Sequence, residues 1–143
     1  LITIFYLQKQ KMGDKRLQIA VGVIFNKKKD KVLVARRPAR VHQGGLWEFP
    51  GGKCLDGEDI ITALKRELFE ELNMLIDDYQ SLISIEHDYS AQRVKLDVWS
   101  VIEWHGEIFG KEGQSIEWVP LAQLSQRDFP KANEEIIKVL QSA

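Results

Sequence analysis

The hydrophobic pattern of the chain alternates between strand-like and helix-like periods, and that alternation sets the expected architecture. Leu17 to Phe25 (LQIAVGVIF) is apolar at nearly every position and rich in β-branched residues, which predicts a central strand buried on both faces. Asn26 to Lys31 is a polar turn, and Lys31 to Arg36 (KVLVAR) returns as a second strand. Pro38 to Gly45 reads as a loop, and Leu46 to Phe49 as a short strand before a Pro50-Gly51-Gly52 turn. Over Asp59 to Leu72 the period becomes helical. Ile61, Leu64, Leu68 and Leu72 fall within an arc of ~80° at ~100° per residue, forming one core-facing stripe. Glu67, Glu70 and Glu71 occupy the neighbouring arc, so the glutamates are expected along the edge of that contact, where a cleft would lie. Leu82 to Glu86 and Arg93 to Ile102 read as strands; in the second, Val94, Leu96, Val98 and Ile102 alternate with Lys95, Asp97 and Trp99. Ile116 to Val119 is another short strand, and Ala132 to Leu140 a closing helix with Ile136, Ile137 and Leu140 inward. Strands and helices in this order predict an α/β domain with a mixed sheet between helices.

Composition narrows the function. The 143 residues fit one domain large enough for a real core, and no repeat, low-complexity tract or linker divides it. A formal net charge of -1 argues against a general nucleic-acid binder, although it says little about one pocket. The single cysteine, Cys54, cannot form an intrachain disulfide, which suits a reducing, cytoplasmic setting. No apolar run reaches the ~18–20 residues that span a bilayer. The opening LITIFYL has neither a basic segment before it nor a small-residue cleavage site after it, so it is a poor signal peptide. Met12, followed by Gly-Asp-Lys, is a candidate natural start; residues 1–14 are expected to be an extension outside the fold, and 15–143 the domain.

The chemistry concentrates between Gly52 and Met74 (GKCLDGEDIITALKRELFEELNM), where Glu58, Glu67, Glu70 and Glu71 gather with Arg66 behind Phe49-Pro50-Gly51-Gly52. Carboxylates repel one another, so clustering them stabilises nothing unless a cation or proton sits among them. A hard dication such as Mg²⁺ takes oxygen ligands and commonly shares itself with substrate phosphates. The alternative is a solvated helix face, the usual fate of charge runs. Against it, Lys65 and Arg66 are the only basic residues of the helix, and Glu67 with Glu71 is a like-charged i,i+4 pair.

The spacing Gly52-x5-Glu58-x7-Arg66-Glu67-Leu68-x-Glu70-Glu71 resembles the Nudix box of nucleoside-diphosphate-linked hydrolases. At ordinary residue frequencies such a coincidence arises on the order of once in 10⁵ chains. Outside the box, LQIAVGVIF, ARR, His42, WEFPGGK, WHGEIFGKEGQSIEWVPL and DFPKANEEI are similar to the MutT-type branch of that family, over most of the chain from Lys15 onward. The resemblance implies an α/β/α sandwich around a mixed β-sheet. It also implies hydrolysis of 8-oxo-dGTP by water to 8-oxo-dGMP and pyrophosphate, which cleanses the nucleotide pool before DNA replication. The implied cofactor is Mg²⁺, with Mn²⁺ able to substitute, and the implied partner a small nucleoside triphosphate bound by a monomer, with no stable nucleic-acid complex and no membrane.

By the same likeness Glu67, Glu70 and Glu71, with the Gly51 carbonyl and Glu112, would hold the metal. Glu67 or Glu112 would be the base, and Arg66 would orient the glutamates by a bidentate pairing, with Glu58 behind them. For Glu112 the alternative is an exposed loop glutamate. Arg37, His42, Glu48, Phe49, Pro50 and Gly51 would meet the substrate; Arg37 could instead be a solvated loop arginine, His42 a turn-filling residue, and Lys53 merely solvated. Asn133 carries the specificity. A carboxamide sets a donor beside an acceptor, which matches O6 and the protonated N7 of an 8-oxopurine but not the acceptor N7 of guanine. Asparagine before a helix is also a favoured N-cap. Leu17, Ile19 and Tyr89 are base-pocket candidates or plain core. Two departures stand out. Asn73 occupies the place of the box's final glycine, and Asp88 to Asp97 matches poorly, which leaves the base preference open to an oxidised or methylated pyrimidine triphosphate. A regulatory module without catalysis would be expected to show a broken box, and this box keeps every acid.

Overall fold

The computed structural model describes residues 16–37, 45–89 and 92–142. The expected N-terminal extension, His42 and the side chain of Tyr89 lie outside the described residues. Strand β1 (Leu17–Ile24) is the axis of the molecule. Its Ile19, Val21 and Val23 enter one hydrophobic cluster, while Ala20 and Ile24 enter another on the opposite face. A strand buried on both sides has no place for polar alternation, which accounts for its unbroken apolar run. Strand β2 (Lys31–Arg36) behaves the same way, with Val32 and Val34 on one side and Leu33 on the other.

The other strands are β3 (Trp47–Glu48), β4 (Gly51–Lys53), β5 (Leu75–Tyr89), β6 (Gln92–His105) and β7 (Ser115–Pro120). They build two sheets. The larger has the order β4-β1-β6-β5, with β1 parallel to β6 and both outer pairs antiparallel; the smaller is β3-β2-β7, antiparallel throughout. Helix α1 (Ile60–Leu72) covers one face through Ala63, Leu64, Leu68 and Leu72, and helix α2 (Glu134–Gln141) the other through Ile136, Ile137 and Leu140. The mixed sheet between helices is the α/β architecture that the sequence pattern predicts, with the smaller sheet added.

Three elements differ from the sequence reading. The strands expected at 82–86 and 93–102 are a much longer antiparallel pair. Leu75 to Ser81 was invisible because Asp77, Asp78, Gln80 and Ser81 have low strand propensity; β5 is an edge strand, held by main-chain pairing to β6, and its outer side tolerates polar residues. The closing helix starts as a 3₁₀ turn, Lys131–Asn133, before α2. Finally, Ile61 is only half-buried, and the buried face of α1 takes in Ala63, Glu67 and Glu71 instead.

Gly22 and Asn73 set where α1 lies. A Cβ on Gly22 would stand 3.0 Å from Leu68 Cδ1 and 3.5 Å from Leu64 Cδ1, so the missing side chain lets the helix settle close onto β1. Asp59 caps the N-terminus, its carboxylate accepting from the Thr62 N–H at 2.8 Å. Asn73 ends the helix in the left-handed conformation (φ 61°), as the box's glycine would. Its carboxamide also donates to the Glu107 carbonyl at 3.1 Å, a bond that glycine could not make.

Candidate active site

The turn expected at Pro50-Gly51-Gly52 is a bend at Pro50 alone, with Gly51 and Gly52 already in strand β4 because they pair with β1. Gly52 lies against Glu67 of α1. Gly51 and Gly52 pair with Val21 and Ala20 of β1, and the Gly22 N–H donates to the Pro50 carbonyl at 2.8 Å. A Cβ on Gly51 would collide with the Ala20 carbonyl, and one on Gly52 would collide with the whole Glu67 carboxylate group. The double glycine is thus a steric requirement: the first lets two backbones meet, and the second leaves a niche that Glu67 fills.

Arg66 organises the acids around that niche. Its Nε and Nη2 donate to the two carboxylate oxygens of Glu58 at 2.8 and 3.0 Å, the bidentate geometry that suits a guanidinium. Nη2 also reaches the Lys53 carbonyl at 3.0 Å, and Nη1 reaches Glu67 at 2.9 Å and Glu70 at 3.5 Å. One arginine therefore ties the loop before α1, the end of β4 and two helix glutamates into a single unit. Hydrogen bonds from Arg66 and from the Leu55 N–H hold the Glu58 carboxyl below its usual range.

The three glutamates of the helix differ sharply in environment. Glu70 is exposed, whereas Glu67 and Glu71 are 6% and 1% exposed. Burial raises the Glu67 carboxyl, with Arg66 opposing. Glu71 is pushed up to about 9, first by burial and then by the like charges of Glu67, Glu112 and Glu48. Glu48, on β3, is pushed up to about 7 by burial, with Arg37 opposing and Glu112 adding to the rise. Four carboxyl groups from three parts of the chain, β3, α1 and the loop after β6, thus act on one another across a small space. Glu48 is the member the sequence hides, because nothing in its spacing connects it to the helix, and the family resemblance implies for it only a substrate contact.

Glu112 arrives on the loop after β6, which is fastened to the C-terminal end of α1. The Phe109 N–H donates to the Leu72 carbonyl at 3.2 Å, while the Lys111 N–H and the Gln114 carboxamide both donate to the Glu71 carbonyl, at 2.9 and 3.1 Å. Gln114 Oε1 accepts from the Glu112 N–H at 2.9 Å. Carbonyls that a helix end leaves unsatisfied are what anchor the loop. Glu112 itself is exposed.

Among the described residues no three acidic, histidine or cysteine side chains are drawn tightly enough together to make a finished cation cage. The donor set nonetheless fits a hard divalent ion. It consists of carboxylates, with Glu67 seated in its glycine niche and Glu71 raised by burial and, after that, by like-charged neighbours whose repulsion a dication relieves.

On the substrate side, Arg37 is 3% exposed and therefore not a solvated loop residue. It closes the base of the loop, its N–H donating to the Leu46 carbonyl and its carbonyl accepting from Gly45. Phe49 packs in the core and stacks on Phe129 with ring centroids 5.3 Å apart. Ile19 is core, and Leu17 packs half-buried against the same cluster. Asn133 is 8% exposed, and its side chain makes no cap bond to α2, since its φ and ψ (-85°, -11°) are already helical. The side chain therefore does not cap the helix.

Comparison with known proteins agrees with this geometry. Residues 20–139 match the model of the NUDIX domain. The chain is 40% identical over 126 residues to the 8-oxo-dGTP diphosphatase of Escherichia coli K12, covering 88% of this chain and 97% of that protein. It is 35% identical over 104 residues to the CTP pyrophosphohydrolase of the same organism, covering 73% and 76% respectively. Among solved structures it is similar to MutT from a study of Aliivibrio salmonicida and Vibrio cholerae, with a TM-score of 0.78, 35% identity and coverage of 90% of this chain and all of that one.

Proposed function

The chain belongs to the NUDIX domain family, and we propose that it is a pyrophosphohydrolase converting 8-oxo-dGTP to 8-oxo-dGMP and pyrophosphate. The observation that carries this reading is the set of mutually repelling carboxyls, Glu48, Glu67, Glu71 and Glu112, beside Gly51 and Gly52. Similarity to 8-oxo-dGTP diphosphatases supports the substrate.

Nudix hydrolases need a divalent metal, and here Glu67, Glu70, Glu71, Glu112 and the Gly51 carbonyl would hold Mg²⁺. Bound there, the ion supplies charge neutralisation for the triphosphate and activation of water. The protein's own part is positional. Arg66 holds one oxygen of Glu67 and so fixes the rotamer of that carboxylate. Glu112, exposed on its anchored loop, is better placed than the clamped Glu67 to take the proton of the attacking water and release it to solvent. Water adds to a phosphorus of the α–β bridge as that P–O bond breaks, so that 8-oxo-dGMP and pyrophosphate separate.

At the far end, Asn133 offers its carboxamide to O6 and N7–H of the oxidised base. Ordinary guanine would set an acceptor against the amide oxygen, and a site built on such a bond can reject the analogue by ~10⁴-fold or more. Arg37, buried at the root of its loop, supplies positive charge toward the substrate. No helix among the described residues is long and apolar enough to cross a membrane; a cytoplasmic monomer acting on free nucleotides is the setting that fits this chemistry.

The similarity to a CTP pyrophosphohydrolase supports a second reading, a pyrimidine triphosphate as substrate. Pyrophosphate release should be measured with 8-oxo-dGTP, dGTP and CTP, with Mg²⁺ and with EDTA. A kcat/KM for 8-oxo-dGTP far above the other two supports the first reading, near-equal values remove it, and turnover undiminished in EDTA removes the metal role.

A further inference from the structure

Strand β3 carries both Glu48 and the entry to the Phe49-Pro50-Gly51-Gly52 segment, yet it is only two residues long. Two ladder positions, Ala35–Glu48 and Arg36–Trp47, are a weak hold for a segment that must place a carboxylate and a glycine pair. Pairing with β1 holds Pro50 to Gly52 on the far side, and a further constraint comes from Trp47. The Arg36 guanidinium lies 5.6 Å from the centre of its indole and the Arg127 guanidinium 4.9 Å. Arg127 is itself fixed by a bidentate pair with Glu117 on β7, at 2.8 and 2.6 Å. The Trp47 N–H donates to the Asp128 carbonyl at 2.8 Å, and just beyond that bond Phe49 stacks on Phe129.

Residues 127–130 therefore run fastened alongside residues 47–49. The first segment continues into Pro130, whose carbonyl accepts from the Asn133 N–H at 2.9 Å; the second continues into the glycine pair over Glu67. The clasp joins the base-recognition end of the site to its metal-facing end. We propose that Trp47 and Arg127 are positioning residues that set the spacing between Asn133 and the Glu48–Gly52 segment, so that base and polyphosphate are engaged together or not at all. The inference rests on the function proposed above. It explains how an oxidised base is made to count in a reaction at the other end of the nucleotide: the recognition bond contributes only when the phosphates lie in register with it.

The test compares Trp47→Leu, which removes the aromatic face, with Trp47→Phe, which keeps one. For Trp47→Leu the ratio of kcat/KM for 8-oxo-dGTP to that for dGTP should fall on the order of tenfold, through a raised KM for the oxidised nucleotide, and Trp47→Phe should restore most of it. A second readout needs no substrate. In Trp47→Leu, hydrogen exchange should quicken at the Trp47 and Asn133 amides while the Phe25 and Asn73 amides, bonded to Val101 and Phe69, keep their protection. Equal losses on both nucleotides, no rescue by phenylalanine, unchanged exchange at Asn133, or faster exchange at all four amides would each overturn the proposal. Should the unaltered enzyme show no preference for 8-oxo-dGTP, the substrate assignment falls, and the exchange experiment alone decides the clasp.

Discussion

Glu71 is where the electrostatics and the chemistry can be separated by one substitution. Moving its carboxyl from neutral to ionised at pH 7, when the group is pushed up to about 9, costs ~3 kcal/mol in the metal-free protein at ~1.4 kcal/mol per pH unit. A cation that binds the carboxylate must displace that proton. Metal affinity should therefore strengthen ~tenfold per unit as pH rises toward about 9, with close to one proton released per ion from Glu71 and a further fraction from Glu48 below about pH 7. The stability of the metal-free protein runs the other way. A carboxyl raised on folding contributes stability while it stays protonated, and that contribution is lost as pH climbs from its unfolded value of 4.5 toward about 9. Glu71→Gln, which mimics the neutral acid, should match the unaltered protein near pH 5 and exceed it in metal-free stability at about pH 8.5. In the same variant, the ~2.7 kcal/mol of stabilisation that a ligand gives at a hundredfold excess over its Kd should vanish for Mg²⁺. Turnover should drop by ~100-fold or more. Calorimetric titration with Mn²⁺ in buffers of different ionisation enthalpy counts the protons, and thermal unfolding with and without EDTA reads the stability. An affinity that stays flat between about pH 6.5 and 8.5, with no proton released, would refute the argument that Glu71 is kept protonated by burial and its acidic neighbours.

Three further outcomes are expected. Gly52→Ala places a methyl group in the Glu67 niche, so metal affinity and turnover should fall together while far-UV circular dichroism stays unchanged; full activity would show that Glu67 can move aside at no cost. Arg66→Lys keeps the charge but loses the fork that grips Glu58, and should cost ~1–3 kcal/mol in chemical denaturation together with a fall in kcat. Asn133→Ala should lower kcat/KM steeply for 8-oxo-dGTP and little for dGTP, with unfolding temperature almost unchanged because the side chain makes no cap bond to α2. An equal loss on both nucleotides would leave Asn133 a packing residue only.

Much of this protein is written locally. The unbroken apolar run of β1 declares a strand covered on both sides, the leucine period declares α1, and the Gly52–Glu58–Arg66–Glu67–Glu70–Glu71 spacing declares the family, because each lies within one continuous stretch of chain. Residues 75–81 of the edge strand could not be read, since their strand character comes from pairing with β6 and not from their own side chains. Nor could the glutamates be told apart. On a helical wheel Glu67, Glu70 and Glu71 are neighbours, and only the packing of the glycine pair and the loop after β6 decides that Glu71 is buried while Glu70 faces water. The same holds for Glu48 and Glu112, which lie far from the helix in sequence and join its acids through β3 and an anchored loop. Period and spacing specify which face an element can bury; what covers that face, and therefore the dielectric and charge each carboxyl meets, is decided by segments remote in the chain.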